Sequence, residues 1–423
     1  MAPRRRADLT PFGRSARSAS RPRVVPRRTI VHPFRHLQRY GHGCKAGASA
    51  AWRVTWCTCQ SRTAAGALRA VGRRIEENGL RRSSLCRPSG LAALALTALL
   101  AALPARALPP PVEVPAETVR FASTDPFALR DAIRGRAAPA EALGRLFLPT
   151  EAATEPVPAV VLLHGAGGIL PSRELTYARQ FAALGWATLV VDVFGARVEP
   201  GTRFADRLLN VTEAMFLADA YAGLRFLDAH PSVDATRVAL VGFSYGGMAA
   251  TYAVHELVAR TFAPEGLRFR AHAAFYAPCI ARFEDMTTTG APFAMLYGTA
   301  DAIVDPVRCA EVLRDVAEGG SSVLLEVLVG AAHQWDARAA GVAWRAPRGL
   351  AACDFRVGRD GRVRDNRTLL PLDGFLGRTA ALAWCADDDG YLIQGDPTAR
   401  ARSDAVLGAF LADALMPDTR VDG

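Results

Sequence analysis

The chain has 423 residues, half of them hydrophobic and 22% charged, enough for one large domain or two ordinary ones around a sizeable core. Its formal net charge of +10 is unevenly divided: residues 1–107 carry 21 Lys and Arg against 3 acidic residues, while residues 108–423 carry 30 against 38. The later part is therefore mildly acidic, which argues against nucleic acid as its partner.

Residues 1–80 are rich in Arg, Ser, Ala and Pro and show no sustained periodicity. Such a stretch reads as a disordered basic leader, or as the product of a start site placed too far upstream. Residues 81–107 have the layout of a secretory signal peptide: Arg81, Arg82 and Arg87, then the 14-residue apolar run Gly90–Leu103, then Pro104 and Ala105-Arg106-Ala107. This predicts a true start near Leu80 and an exported, periplasmic or secreted product. The run is shorter than the roughly 20 residues a membrane span needs, so no stable anchor is expected; an uncleaved hydrophobic anchor is the alternative. Four cysteines remain beyond it, Cys279, Cys309, Cys353 and Cys385. An even set in an exported domain predicts two disulfides, and sequence proximity favours Cys279 with Cys309 and Cys353 with Cys385. Zinc is the rival use, but no CxxC or His pair accompanies these residues, so no metal is expected.

From residue 108 the chain alternates strand and helix patterns. After a Pro-rich linker, 119–121 and 142–148 are expected to open the fold as an antiparallel pair. The apolar run 157–163 reads as a strand buried on both faces. A helix is expected over 175–184, a strand over 187–193 and an amphipathic helix over 212–229. Further strands are expected at 238–241, 271–276, 293–297 and 323–328, and a closing helix over 404–415. This order predicts an α/β fold, a doubly wound, mostly parallel sheet with helices on both faces. Residues 337–395 break the rhythm and read either as an insertion or lid pinned by a disulfide, or as a solvated loop.

The stretch Thr236–Val254 reads as strand, sharp turn and helix, with Gly242-Phe243-Ser244-Tyr245-Gly246-Gly247 at the turn. This is the G-x-S-x-G nucleophile elbow, in which small residues flank a serine held in a strained conformation. The backbone N–H of Tyr245 is then free to bind an oxyanion, and the loop His164-Gly165-Ala166-Gly167-Gly168 offers a second donor from Gly165 or Ala166. The loop lacks the phosphate-binding glycine patterns, so no nucleotide cofactor is expected. Asp301 and His333 follow later strands, which completes the order serine, acid, histidine. Asp305 is the alternative acid. Among the other histidines after residue 107, His164, His230, His255 and His272, none combines a late position with a strand end. The expected roles are a serine nucleophile, a histidine proton carrier and an aspartate that holds the imidazole tautomer.

On the segments VVLLHGAGG, Asp192-Val193-Phe194-Gly195, GFSYGG, LYGTADAIVDP and GAAHQWD, the chain resembles the dienelactone hydrolase family of α/β-hydrolases over roughly residues 155–335. The resemblance implies a serine or cysteine nucleophile, an aspartate, a histidine, and neither metal nor organic cofactor. Dienelactone hydrolases proper carry cysteine at the elbow, where this chain has Ser244, so a general carboxylic ester or lactone is the expected small-molecule substrate. A peptidase or acyltransferase could use the same three residues, and a non-catalytic binding protein could use the same scaffold. Oligomeric state is not legible.

Overall fold

A computed structural model describes residues 108–199, 202–337, 342–346 and 348–416. The leader and signal-peptide expectations for residues 1–107 lie outside these residues. Two long strands, β1 (Ala116–Asp125) and β2 (Ala138–Phe147), pair antiparallel at one edge of the sheet, with the short helix α1 (Leu129–Ile133) between them. In β1, Val119, Phe121 and Ser123 point inward and their neighbours outward, the alternation expected of a strand with one wet face. Next come β3 (Val157–Leu163), α2 (Glu174–Ala182), β4 (Ala187–Val191), α3 (Phe204–Asn210) and α4 (Glu213–Asp228). The elbow strand β5 (Val233–Phe243) leads into α5 (Tyr245–Ala253) and α6 (Glu256–Phe262). Then follow β6 (Ala271–Phe275), β7 (Ala281–Phe283), β8 (Phe293–Gly298), α7 (Pro306–Glu318) and β9 (Val323–Leu328).

The main sheet has eight strands in the order β1-β2-β4-β3-β5-β6-β8-β9. From β4 to β9 every neighbour is parallel, and β2 joins β4 antiparallel. Every residue of β3 is buried, as is β5 from Val238 onward, because helices cover both faces at the centre. Helix α4 packs with α5 against the sheet, and α2 packs with the closing helix α9 (Pro397–Leu415). Strand order reverses between β3 and β5, and functional groups of α/β sheets gather at the carboxyl ends of strands on either side of such a reversal.

Two boundaries differ from expectation in an informative way. The closing helix begins at Pro397, not Asp404: Asp396 caps it by accepting from the N–H groups of Thr398 and Ala399, and proline is preset for the first helical turn. The segment after β9 is a packed unit. It holds β10 (Ala343–Ala346), β11 (Phe355–Val357), β12 (Val363–Asp365), α8 (Phe375–Cys385) and β13 (Tyr391–Gln394). Strand β10 pairs with β13, while β11 pairs with β12 and, in parallel, with β7 of the main chain body. The disulfides are Cys279–Cys309 and Cys353–Cys385, and the second ties the insertion's first loop to the end of α8. Among the described residues, no helix is long and apolar enough to cross a membrane.

Two histidines lie in the core away from the sheet's carboxyl edge. His272 is fully buried on β6 with neither ring nitrogen in a well-formed hydrogen bond, and His255 stacks on Phe283 at 4.0 Å. Burial pushes His255 down to about 4, against the weaker upward pull of Asp315 and Asp285; burial and then His255 push His272 down to about 3. An unfolded histidine titrates near 6.5, so below that pH the unfolded chain binds protons that the fold refuses. Their contribution is complete above about pH 6.5 and is lost as pH falls toward about 4 and then about 3. Thermal melts between about pH 7 and about pH 4 should show a falling Tm, and His272→Leu should remove up to about 1.4 kcal/mol per pH unit from the slope. An unchanged slope would show that His272 takes up its proton without unfolding.

Candidate active site

Ser244 lies between β5 and α5 with φ 52° and ψ −109°, a conformation that costs a non-glycine residue energy. The surroundings impose it. A side chain at Gly242 would collide with the backbone of Gly246, and one at Gly246 with the carbonyls of Leu163 and His164. The Ser244 N–H donates to the Phe275 carbonyl at 2.9 Å, and Gly246 N–H donates to His164 O at 3.1 Å. The turn is thus clamped between the ends of β6 and β3.

The structure brings Ser244, His333 and Asp301 together from three strand ends. His333 Nε2 lies 2.9 Å from Ser244 Oγ, and His333 Nδ1 lies 2.7 Å from Asp301 Oδ2. All three residues are buried. With the carboxylate beside Nδ1, that nitrogen carries the proton and donates, leaving Nε2 to accept from the serine hydroxyl. Asp301 Oδ1 also accepts from the Ile303 N–H at 3.2 Å, which fixes the carboxylate plane. Asp305 stands elsewhere, as the N-cap of α7, accepting from Val307 and Arg308 N–H at 2.9 and 3.3 Å.

His164 is held within the loop it begins. Its Nδ1 donates to the Gly165 carbonyl at 2.8 Å and its Nε2 accepts from the Val193 N–H at 3.2 Å. Burial lowers its pKa, so the neutral ring pins the loop after β3 to the end of β4. Gly165 lies directly against the elbow: an added Cβ would sit 3.3 Å from the Ser244 Cβ. Ala166 and Tyr245 line the same cavity as Ser244. As the first residue of α5, Tyr245 has an N–H with no intrahelical acceptor.

Several residues around the site were not singled out by sequence reasoning. The His333 ring is wedged edge-on between Tyr276, at 4.7 Å, and Tyr391, at 4.9 Å. Tyr391 comes from the insertion, and so does the backbone that holds the histidine loop: His333 N–H donates to Leu392 O at 3.0 Å and His333 O accepts from Gln394 N–H at 3.2 Å. Behind Tyr276 runs a buried charged network. The Tyr276 hydroxyl donates to Asp336 at 2.7 Å, and the Arg173 guanidinium pairs with Glu174 at 2.6 Å while covering the Phe243 ring at 5.0 Å. Burial raises the Asp336 pKa, although Arg173 and Arg400 oppose it. Asp336 sits in the same Gly330–Asp336 segment as the histidine, which was the available signal. On the other side, Arg378 of α8 makes a two-pronged pair with Glu213 at 2.8 and 3.1 Å and donates to the Tyr245 hydroxyl at 2.9 Å. The insertion therefore grips both the residue beside the nucleophile and the loop of the histidine. Among the described residues, no group of three or more His, Cys, Asp or Glu is gathered as a metal site.

Residues 143–348 match the dienelactone hydrolase family. A protein from Bradyrhizobium sp, named a probable 2-oxo-3-(5-oxofuran-2-ylidene)propanoate lactonase, is 26% identical over 201 residues, 44% of this chain and 77% of its own length. Similar solved structures include a dienelactone hydrolase-like promiscuous phosphotriesterase from metagenomic libraries, at 18% identity and TM-score 0.45, covering 71% of this chain and 98% of that one. Another is a putative dienelactone hydrolase from Klebsiella pneumoniae, at 18% identity and TM-score 0.40, covering 52% and 89%. Over residues 143–348, carried on an eight-stranded sheet of the α/β-hydrolase type, this chain is similar to the dienelactone hydrolase family.

Proposed function

We propose that the protein hydrolyses carboxylic esters or lactones through an acyl-enzyme on Ser244, with His333 as the proton carrier and Asp301 as its orienting carboxylate. The match to the dienelactone hydrolase family supports an enzyme that hydrolyses esters or lactones; the division of labour among residues is our reading. It rests on one observation, the unbroken chain of contacts from Ser244 Oγ to His333 Nε2 at 2.9 Å and from His333 Nδ1 to Asp301 Oδ2 at 2.7 Å. Ser244 Oγ attacks the carbonyl carbon as His333 Nε2 takes its proton, and Asp301 stabilises the imidazolium. The carbonyl oxygen becomes an oxyanion, held by the backbone N–H groups of Tyr245 and of the Gly165–Ala166 turn. Ala166 is the better second donor because it lines the cavity, whereas Gly165 backs onto the serine. His333 then returns the proton to the leaving alkoxide. Water, deprotonated by the same nitrogen, cleaves the acyl-enzyme and restores Ser244. A lactone is kept beside an open ester because the Bradyrhizobium relative is named a lactonase; in that case the freed alcohol remains part of the acyl chain, and hydrolysis releases a single hydroxy acid.

We also propose that the protein is exported. The two disulfides and the signal-like layout of residues 81–107 support this, since disulfides persist outside the reducing cytosol. The serine assignment is tested by treatment with a fluorophosphonate and peptide mass mapping. The expected result is a single adduct on the peptide containing Ser244 with parallel loss of p-nitrophenyl acetate hydrolysis. An adduct on another serine, with activity lost, would remove Ser244 from its role.

A further inference from the structure

Ser244 opens into a cavity of about 600 Å³, within the range that holds a drug-sized ligand. Its walls come from two sources. The main sheet's helices contribute Leu208, Leu217 and Tyr252, and the insertion contributes Phe355, Leu372 and Leu382. Only four charged side chains touch the cavity among the described residues: Arg203, Glu213, Arg348 and Arg378. Arg203 and Arg348 are solvent-exposed and paired with Asp206 and Asp388. The two inside cancel each other. Arg378 spends four of its five N–H groups on both Glu213 oxygens, the Leu208 carbonyl and the Tyr245 hydroxyl. Among the described residues, a substrate carboxylate entering here would meet no uncommitted cation, and desolvating an unpaired carboxylate is heavily unfavourable. Breaking the Arg378–Glu213 pair to serve it would strand the Glu213 charge instead.

Resting on the esterase reading above, we infer that the substrate is an uncharged ester or lactone carrying one long or bulky apolar arm, and that the insertion between β9 and α9 exists to line the chamber for that arm. Without it, the cavity would lose the wall formed by Phe355, Leu372 and Leu382, and the His333 loop its backbone clamp. The insertion thus couples recognition of the apolar arm to placement of the proton carrier.

The test measures kcat/KM of the full-length protein on p-nitrophenyl acetate, butyrate and octanoate, and on alkyl acetates from methyl to octyl. A third arm uses the p-nitrophenyl ester of octanoate bearing a terminal carboxylate. Burying each methylene supports a gain of up to about fourfold, so octanoate should exceed acetate, or octyl exceed methyl, by about a hundredfold or more. The carboxylated ester should fall about a hundredfold below plain octanoate. Leu209→Arg, which places a cation on the cavity wall, should raise the ratio of carboxylated to plain ester at least roughly tenfold. Flat or falling profiles in both series, a carboxylated ester equal to or better than the neutral one, or an unmoved ratio in Leu209→Arg would each overturn the inference. Fluorophosphonate labelling of Ser244 separates the two levels. Labelled, acetate-hydrolysing protein with flat profiles defeats only the substrate class; unlabelled, inactive protein defeats the esterase reading beneath it.

Discussion

Ser244→Ala is expected to lower kcat on p-nitrophenyl acetate by about a millionfold, some 8 kcal/mol of transition-state stabilisation. The size of the loss comes from dependence among the three groups. Once Oγ is gone, His333 Nε2 has no proton to take, and the Asp301–His333 bond at 2.7 Å orients a ring with nothing to act on. The effects must therefore fail to add. Ser244→Ala with His333→Ala in one protein should be no slower than Ser244→Ala alone, with a residual rate of about a thousandfold over water from the oxyanion donors and binding. Folding is not the confounder, because alanine meets the same elbow at φ 52° without adding bulk, and a thermal melt checks it. A variant that keeps even a hundredth of the parent rate, or a double variant far slower than the single one, would show that catalysis runs through other groups.

Asp301→Asn is expected to cost about ten-thousandfold in kcat with KM little changed. The amide is nearly isosteric, so the loop survives. However, an amide group facing His333 Nδ1 can offer its N–H there, which drives the ring's own proton to Nε2, the nitrogen that must receive the serine proton. Asp305→Asn is the control. Asp305 caps α7, and asparagine caps nearly as well, so both stability and rate should stay close to the parent; Asp305→Ala should cost about 1 kcal/mol of stability with kcat intact. The two carboxylates are four residues apart and chemically alike, so the pair of variants isolates geometry. A large rate loss in Asp305→Asn, with Asp301→Asn active, would reverse the assignment of the acid.

The structure also explains why some parts were readable in advance and others were not. The central strand at 157–163 was legible because burial on both faces leaves no polar position to blur its ends. The elbow was legible because its constraint is local: Gly242 and Gly246 are required by backbone atoms within a few residues or on the adjoining strand. Strand-end placement also made Ser244, Asp301 and His333 stand out, since a βα repeat presents its loops at one edge. The first turns of the closing helix were not legible because Arg400 and Arg402 interrupt its apolar pattern; in the fold Arg400 pairs with Asp404 one turn on and with Gln180 of α2, and Arg402 with Glu326 of β9.

What the amino-acid sequence determined alone is the alternating order of strands and helices, the strained serine turn, and a set of chemically suited residues spaced along the chain. Those follow from periodicity, glycine sterics and side-chain chemistry, which act over a few residues. What only the tertiary structure decided is which carboxylate faces His333, that the insertion packs Tyr391 and the backbone of Leu392 and Gln394 against that histidine, and that Arg378 is already neutralised by Glu213. Each of these is a contact between residues well separated in sequence, and the insertion's own short strands form only by pairing with one another and with β7. Their geometry comes from burial and pairing across the chain, which no local pattern records.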